Sequence, residues 1–267
     1  MTAPAIEIDR VRKSFDGGRS VAVDDVSLRV EAGSFVALVG ASGSGKTTTL
    51  KLVNRLIEPD GGEIRVEGAA VTMVDAPTLR RRIGYVFQGV GLFPHMSVAE
   101  NIGITPQLLG WSQPDVAMRT AEVLDLVGLP RTYLDRLPDA LSGGERQRVG
   151  VARAIAARPG IVLMDEPFGA LDPVTRDTLG TAYRELHKRL GLTTLMVTHD
   201  VQEAVLLADR IAVMGAGRLV AYDTPRALMA ATASPEAAAL MAMPRRQAER
   251  VRQVLGGQSP DGGGADA

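Results

Sequence analysis

The sequence predicts an α/β fold with a mostly parallel sheet, an antiparallel β subdomain and an inserted α-helical subdomain. Three observations carry this prediction: short, fully apolar runs, segments of helical periodicity between them, and alternating apolar and polar residues near the N-terminus. Apolar runs that alternate with helices are typical of the buried strands of a parallel sheet. The 267 residues are enough for a substantial hydrophobic core.

The composition excludes several kinds of site and partner. The chain has no cysteine, which rules out disulfides, thiolate metal sites and a cysteine nucleophile. Its net charge of −1 gives no overall argument for nucleic acid, and we expect none as a partner. No apolar run approaches the roughly 20 residues that cross a bilayer, and residues 1–7 do not resemble a signal peptide. We therefore expect any membrane role to be exercised through a partner.

The first part of the chain predicts the antiparallel layer. Residues 6–11 and 26–30 alternate as half-buried strands do, and residues 63–68 are expected to add another strand. Residues 35–39 are wholly apolar and predict a buried strand, and residues 48–56 carry apolar side chains at helical spacing.

Between that strand and that helix lies a phosphate-binding pattern. Gly40-Ala41-Ser42-Gly43-Ser44-Gly45-Lys46-Thr47 fits G-x-x-x-x-G-K-[ST] at every fixed position. Such a loop turns its backbone N–H groups toward phosphate oxygens, and the helix N-terminus adds partial positive charge. Lys46 is expected to reach the outer phosphates and the Thr47 hydroxyl to bind Mg²⁺. The alternative is a flexible Gly/Ser turn, which the strand and helix on either side disfavour.

The helical insert is predicted at about residues 89–157. It follows a core-type strand, residues 83–88, that ends in Gln88. Ser97 is placed to cap one helix, with Glu100 completing a capping box, and a second helix is expected from Ser112 until Gly128 stops it.

The remaining segments continue the alternation of strands and helices. The predicted strands are residues 161–164 and 193–198, followed by a hairpin of residues 211–214 and 218–222. Helices are predicted at residues 174–190, 202–208 and 225–242. We expect one domain over residues 1–242 and a C-terminal extension over 243–267, of which the Gly-rich end is disordered.

Polar groups end separate core strands. Besides the phosphate loop they are Gln88, the pair Asp165-Glu166 and His199. Ligands of parallel α/β sheets bind at the carboxyl ends of strands, so these groups are expected to meet at one phosphate. Taken singly, an Asp-Glu pair is usually a helix cap and a histidine a core or surface residue. Taken together, they predict that Asp165 holds Mg²⁺ through a water molecule and that Glu166 polarises an attacking water.

A second anion site is predicted at Leu141-Ser142-Gly143-Gly144-Glu145-Arg146-Gln147-Arg148, where a Ser-Gly-Gly turn feeds a helix. With these motifs, residues 5–225 resemble the ATPase subunit of an ATP-binding-cassette (ABC) transporter, which has a P-loop NTPase (RecA-like) core. In that family two such domains pair head to tail, and the Ser-Gly-Gly signature of one closes on the ATP held by the other.

The resemblance assigns roles residue by residue. It implies catalytic roles for Lys46, Gln88, Glu166 and His199, and Mg²⁺ contacts for Thr47, Gln88 and Asp165. It implies ATP contacts for Phe15, Gly40, Ala41, Ser42, Gly43, Ser44, Gly45, Lys46, Thr47, Thr48, Ser142, Gly143 and Gly144. The sequence departs from the family's common pattern in having Phe15 instead of tyrosine against adenine, and Glu145 instead of glutamine after the signature glycines.

Within the family, the chain looks like the branch that imports osmoprotectants such as glycine betaine, choline, carnitine or proline, a likeness carried by residues 79–88, 91–101, 108–111 and 148–154. This implies a peripheral protein on the cytoplasmic face of the inner membrane, a paired ATPase subunit, an integral membrane permease and an extracytoplasmic substrate-binding protein. The forty residues after Pro225 are too few for the regulatory domain pair of many members. The alternatives are an importer of another small solute (an amino acid, a polyamine or an inorganic anion) and a soluble ABC ATPase that acts on DNA or the ribosome.

Overall fold

The structure is a computed structural model that describes residues 4–230 and 234–256. The strands are β1 (Pro4–Phe15), β2 (Ser20–Glu31), β3 (Phe35–Val39), β4 (Gly61–Val66), β5 (Ala69–Ala70), β6 (Ile83–Val86), β7 (Ile161–Asp165), β8 (Thr193–Val197), β9 (Arg210–Gly215) and β10 (Arg218–Asp223). The helices are α1 (Lys46–Val53), α2 (Ala76–Arg82), α3 (Val98–Leu108), α4 (Gln113–Leu126), α5 (Gly143–Ala156), α6 (Pro173–Leu190), α7 (Val201–Leu207), α8 (Pro225–Ala230), α9 (Pro235–Met241) and α10 (Met243–Gly256).

These strands form two sheets, and the predicted α/β class is confirmed. The antiparallel sheet has the order β2-β1-β4-β5, so the strand expected near residue 64 does join the N-terminal hairpin. The larger sheet has the order β10-β9-β3-β8-β7-β6 and is parallel from β9 to β6, with β10 antiparallel on its edge. Its parallel strands all end at the same edge, and this edge carries the candidate site.

The central strand β3 lies between two hydrophobic cores, which explains why it is apolar throughout. Phe35, Ala37 and Val39 face a core shared with the helices. Val36 and Leu38 face the other way, into a core shared with the antiparallel sheet. Successive strand residues point to opposite faces, so a strand covered on both faces reads as a continuous apolar run.

Helices α3, α4 and α5 lie between β6 and β7 in the chain, where the helical insert was predicted. The predicted capping box at Ser97 and Glu100 is present at the start of α3. Helix α1, however, ends at Val53, three residues before the predicted end at 56. Asn54 caps it, and Arg55 has a positive φ of 49°, a conformation that cannot continue a helix.

The C-terminal part is helical beyond the domain boundary predicted at residue 242. The segment expected to be helical from residue 225 holds α8 and α9, and Ser234 caps the second of these through the amide of Ala237. Helix α10 occupies the start of the predicted extension. Residues 257–267, where a disordered tail was expected, lie outside the described residues. Among the helices that the structure describes, none combines the length and apolarity needed to cross a membrane.

Candidate functional site

The phosphate loop packs against strands of both sheets, β9 in the larger sheet and β2 in the antiparallel sheet. Gly40 has a φ of 153°, and a Cβ atom there would lie 2.2 Å from the carbonyl oxygen of Met214 at the end of β9. Gly45 has a φ of 96°, and its Cβ would lie 2.2 Å from the carbonyl oxygen of Ala22 in β2. Both distances are too short for any side chain, so glycine is required at these positions. The loop is thereby fixed at the carboxyl end of β3, with α1 starting at Lys46.

The Lys46 side chain is buried and folds back over this loop. Its Nζ donates to the carbonyl oxygens of Gly40 at 2.9 Å and Ala41 at 2.8 Å. Burial lowers the pKa of Lys46, and the nearby Glu166 and Asp165 carboxylates oppose that shift. A desolvated ammonium group is therefore held beside the loop amides, where it would attract a phosphate.

Thr47 and Asp165 join the loop to the end of β7. The Thr47 hydroxyl donates to Oδ1 of Asp165 at 2.8 Å, although 118 positions separate the two residues. The Asp165 side chain is buried, and this burial raises the pKa of its carboxyl group. One hydroxyl and one carboxylate fit Mg²⁺, because that ion is usually held by one or two carboxylates while phosphates and waters complete its shell.

Glu166 contacts two other predicted site residues, Gln88 and His199. Gln88 Nε2 donates to Glu166 Oε2 at 3.1 Å, and His199 Nδ1 lies 3.4 Å from the same oxygen. No group in the described part of the chain donates a hydrogen bond to the other oxygen, Oε1. Glu166 also has a positive φ of 45°, while its amide donates to the carbonyl of Val197. Left-handed backbone is costly for a non-glycine residue and is often found at functional sites.

These groups surround an open pocket of about 410 Å³. The residues lining it are Ala22, Ser42, Gly43, Gly45, Lys46, Thr47, Thr48, Glu166 and His199. Ala22 was not among the sequence-predicted residues, because one alanine in an alternating strand carries no signal of its own. We call this pocket, together with Gln88 and Asp165, the pocket half of the site.

The signature turn, Ser142–Gly144, is not among the residues lining that pocket. It opens α5, where the Ser142 hydroxyl accepts from the amide of Glu145 and the Glu145 carboxylate accepts from the amide of Ser142 at 2.7 Å. A Cβ on Gly144 would lie 2.8 Å from Thr175 Cγ2, so the turn packs against the first turn of α6. A single chain therefore does not bring the signature turn to its own phosphate loop.

Phe15 ends β1 with 41% of its surface exposed and is also not among the pocket-lining residues. Asp60 holds this end of the strand by accepting from the amide and hydroxyl of Ser14, both at 2.6 Å, and from Lys13 Nζ at 2.7 Å. These bonds keep the pKa of Asp60 well below its usual range, the Lys13 bond being the largest cause. Asp60 therefore fixes the strand end next to Phe15, a contact that the sequence did not point to.

The pocket half thus combines groups suited to phosphoryl chemistry. Glycine amides and an ammonium group can hold an anion, a hydroxyl and a carboxylate can hold a hard cation, and a second carboxylate has an oxygen left for water. In the described residues no three carboxylate or histidine groups cluster as a protein-only metal site would need.

Comparison with known proteins agrees with this chemistry. The family model described as "ABC transporter" matches residues 23–169, more than half of the chain. The chain is 50% identical over 220 residues to the carnitine transport ATP-binding protein OpuCA of Listeria monocytogenes; the match covers 82% of this chain and 55% of the relative. It is 49% identical over 224 residues to the glycine betaine uptake system ATP-binding protein YehX of Escherichia coli, covering 84% of this chain and 72% of that one. This chain thus spans about half the length of the first of these relatives.

A similar solved structure is that of the ATP-binding cassette MJ0796, determined as a dimer in a post-hydrolysis state bound to ADP and Pi. It is 31% identical to this chain and superposes with a TM-score of 0.74, covering 82% of this chain and 98% of its own. The phosphate loop, the strand-end carboxylates and the signature turn, in a fold shared with that cassette, make this chain a member of the ABC transporter family.

Proposed function

We propose that this chain is the ATP-hydrolysing subunit of a bacterial importer for osmoprotectants of the quaternary-amine class, such as glycine betaine, choline or carnitine. The observation that carries the hydrolytic role is Glu166 Oε2, held by Gln88 at 3.1 Å and close to His199, at the edge of the phosphate-loop pocket. The transported substrate is inferred from the names of the relatives, since an ATPase subunit of this kind does not touch the solute.

In the proposed reaction Glu166 is the general base. Its free oxygen, Oε1, takes a proton from water as the water oxygen bonds to the γ-phosphorus of ATP, and the bond from that phosphorus to the bridging oxygen of ADP breaks. Lys46, the amides of residues 40–48 and His199 stabilise the charge on the phosphoryl oxygens. Phe15 offers an exposed aromatic face to adenine.

Thr47, Asp165 and Gln88 are the residues that would hold Mg²⁺, and the ion would supply positive charge to the phosphate oxygens. The hydrogen bond from Thr47 to Asp165 already sets two of these oxygen ligands side by side. Gln88 is the third because its amide carries an oxygen while its nitrogen donates to Glu166.

We also propose that two ATPase subunits pair head to tail. The signature turn of each would then supply the N-terminal amides of α5 and the Ser142 hydroxyl to the ATP bound by the other. This arrangement explains why a well-formed helix N-terminus with two glycines lies away from the pocket of its own chain. The pair is a homodimer or a pairing with a related subunit.

A groove beside Gln88 fits docking of the membrane permease. It has a volume of about 540 Å³ and includes the half-exposed rings of Phe87 and Phe93. Two of its buried polar atoms, Asn54 Oδ1 and Tyr85 Oη, have no hydrogen-bond partner among the residues that the structure describes. The loop of residues 90–96, for which permease contact and core packing were both possible, is divided: Leu92 packs on the core, whereas Phe93 is exposed.

We therefore propose that the chain works on the cytoplasmic face of the inner membrane, with a permease and an extracytoplasmic binding protein as partners. The alternatives remain an importer of another small solute and a soluble ABC ATPase. In the soluble case the groove would have no membrane subunit to bind.

The test is to recover the tagged chain from detergent-solubilised native membranes and identify its partners by mass. We expect a polytopic permease and a secreted binding protein, and that binding protein should bind glycine betaine, choline or carnitine rather than sulfate, an amino acid or a polyamine. Phe93→Asp should abolish permease recovery, whereas Met118→Asp, an exposed change on α4 that does not line the groove, should leave it intact. Recovery of ribosomes or DNA-bound proteins without a permease would contradict the transport role.

A further inference from the structure

Arg176 lies in the first helical turns of α6 and was not singled out by any sequence motif. Its Nη2 donates to the backbone carbonyls of Leu171 at 3.2 Å and Gly169 at 3.4 Å. Both carbonyls belong to the loop that follows Glu166. Its Nη1 donates to Oδ2 of Asp200 at 3.1 Å, the residue directly after His199. A single guanidinium therefore joins the loop after Glu166 to the turn that carries His199.

Asp200 is held on three sides. Besides the bond from Arg176, its Oδ1 accepts from the amides of Gln202 and Glu203 as the N-cap of α7. Its own amide donates to the hydroxyl of Thr198 at 3.0 Å. The backbone that presents His199 is thus anchored by β8 on one side, by α7 on another and by Arg176 on the third.

The His199 ring itself is weakly held. Its side chain is 58% exposed, and its polar contact among the described residues is the 3.4 Å approach of Nδ1 to Glu166 Oε2. The position of the ring therefore depends on the backbone of residues 198–200. Gly169 lies near both side chains, since a Cβ added there would be 3.6 Å from His199 Cε1 and 3.7 Å from Glu166 Oε2. The loop that Arg176 holds through Gly169 therefore passes close to both.

We propose that Arg176 is a positioning residue that sets the distance between His199 and Glu166 by bridging the loop of residues 169–171 to Asp200. The proposal rests on the proposed function, since it concerns the geometry of ATP hydrolysis. Arginine suits the task because its planar fork can reach two carbonyls and a carboxylate at once, which a lysine ammonium on a flexible stem does less well. Arg176 does not contact the phosphate loop, so its effect should fall on turnover rather than on ATP binding.

The first test is steady-state ATP hydrolysis by Arg176→Ala and Arg176→Lys, measured well below their unfolding temperatures. We expect Arg176→Ala to lower kcat about tenfold, as a displaced catalytic group would, with KM for ATP changed less than about twofold. Arg176→Lys, which preserves the charge and most of the packing, should fall between Arg176→Ala and the parent. Arg184→Ala is the matched control, because Arg184 lies on the same helix and pairs with Asp209, away from His199. It should leave kcat unchanged.

The second test separates positioning from a merely structural role. In a His199→Ala background, Arg176→Ala should cost less than about twofold in kcat, because its effect acts through the missing imidazole. Two results would overturn the proposal. In one, the kcat of the double variant is lowered by the product of the two single-variant losses. In the other, Arg176→Ala alone keeps the kcat of the parent. If instead the parent chain hydrolyses no ATP even with its membrane partner, the proposed function itself fails and the Arg176 comparison cannot be made from kcat. In that case binding of a fluorescent ATP analogue shows whether the chain fails to bind ATP or binds it without hydrolysing it.

Discussion

The pocket half and the signature turn are both proposed anion sites at helix N-termini, yet they are completed in different ways. The pocket half draws side chains from the ends of β3, β7 and β8, and bonds such as Thr47 to Asp165 connect them within one chain. The signature turn makes its contacts locally, through the Ser142–Glu145 capping box, a bond from Tyr133 to Glu145 and packing on α6. One chain therefore assembles the proposed catalytic groups but leaves Ser142 and Gly143 of the signature turn exposed. If the proposed roles hold, hydrolysis should depend on association of two chains, whereas ATP binding should not.

The largest expected effect comes from removing the general base in the pocket half. Glu166→Gln keeps the size of the side chain and its contacts with Gln88 and His199, so ATP should still bind with parent-like affinity. Hydrolysis should fall about 10²–10⁴-fold, the usual contribution of a positioned base. Because the ATP is not consumed, the two chains should stay paired. Size-exclusion chromatography with Mg·ATP would then show a dimer.

The control for that variant is Glu63→Gln, an exposed change on the antiparallel sheet that should behave like the parent. If Glu166→Gln remains monomeric with saturating ATP, the head-to-tail pairing is contradicted although the pocket chemistry stands.

A smaller effect is expected from the signature turn. The Cβ added by Gly143→Ala would meet Leu171 Cδ2 at 3.7 Å, an ordinary contact, so the fold should be unchanged. The methyl group would lie at the helix N-terminus offered to the partner's ATP, and we expect a loss of about 10- to 100-fold in hydrolysis. ATP binding to the separate chain, measured by calorimetry at low concentration, should be unaffected.

Mixing that variant with Lys46→Ala gives a sharper version of the same comparison. In a mixed pair one site combines both defects, while the other has an intact pocket half and an intact signature turn. Neither variant alone should hydrolyse ATP well, and the mixture should recover part of the parent activity. Absence of any recovery, with both variants folded and mixed pairs present, would contradict the shared site.

Much of the pocket half was predictable because its residues follow strong local patterns. The phosphate loop is a contiguous motif, and the buried, largely apolar strands β3, β7 and β8 must end at one edge of a parallel sheet. The contacts between distant segments were not predictable in the same way. Nothing in the sequence indicates that Arg176 reaches Asp200 or that Ala22 lines the pocket, because such contacts depend on how α6 and β2 pack. The early end of α1 was missed because it depends on a left-handed backbone at Arg55. The usual sequence signal for that conformation is a glycine, and this position has an arginine.

The smallest effects distinguish the region next to the pocket half from the signature turn by the sign of the pH dependence of stability. Glu203 is buried on α7 near His199, and this burial raises the pKa of its carboxyl group. Glu145, in the signature capping box, accepts first from the amide of Ser142 and also from the hydroxyl of Tyr133, and these bonds lower its pKa. The stability supplied by Glu203 is therefore full below the pKa of the unfolded chain and is lost as pH rises through its raised value. That supplied by Glu145 is present above the unfolded pKa and is lost as pH falls through its lowered value.

The opposite pH dependences can be tested with glutamine variants of the two residues. Their Tm and that of the parent are measured by circular dichroism from pH 3.5 to 8. Glu203→Gln should raise Tm at pH 8 by about 2–4 °C, the shift that corresponds to about 1 kcal/mol in a domain of this size, and the gain should disappear toward acidic pH. Glu145→Gln should lower Tm at neutral pH and approach the parent as pH falls, because the parent carboxyl then becomes neutral too. Parallel pH profiles for the two variants would contradict the distinction, since they would mean that burial and capping act on the two carboxyls alike. Opposite profiles would show that the buried charge of Glu203 on α7, near His199, destabilises the fold, whereas the charge of Glu145 stabilises the signature turn.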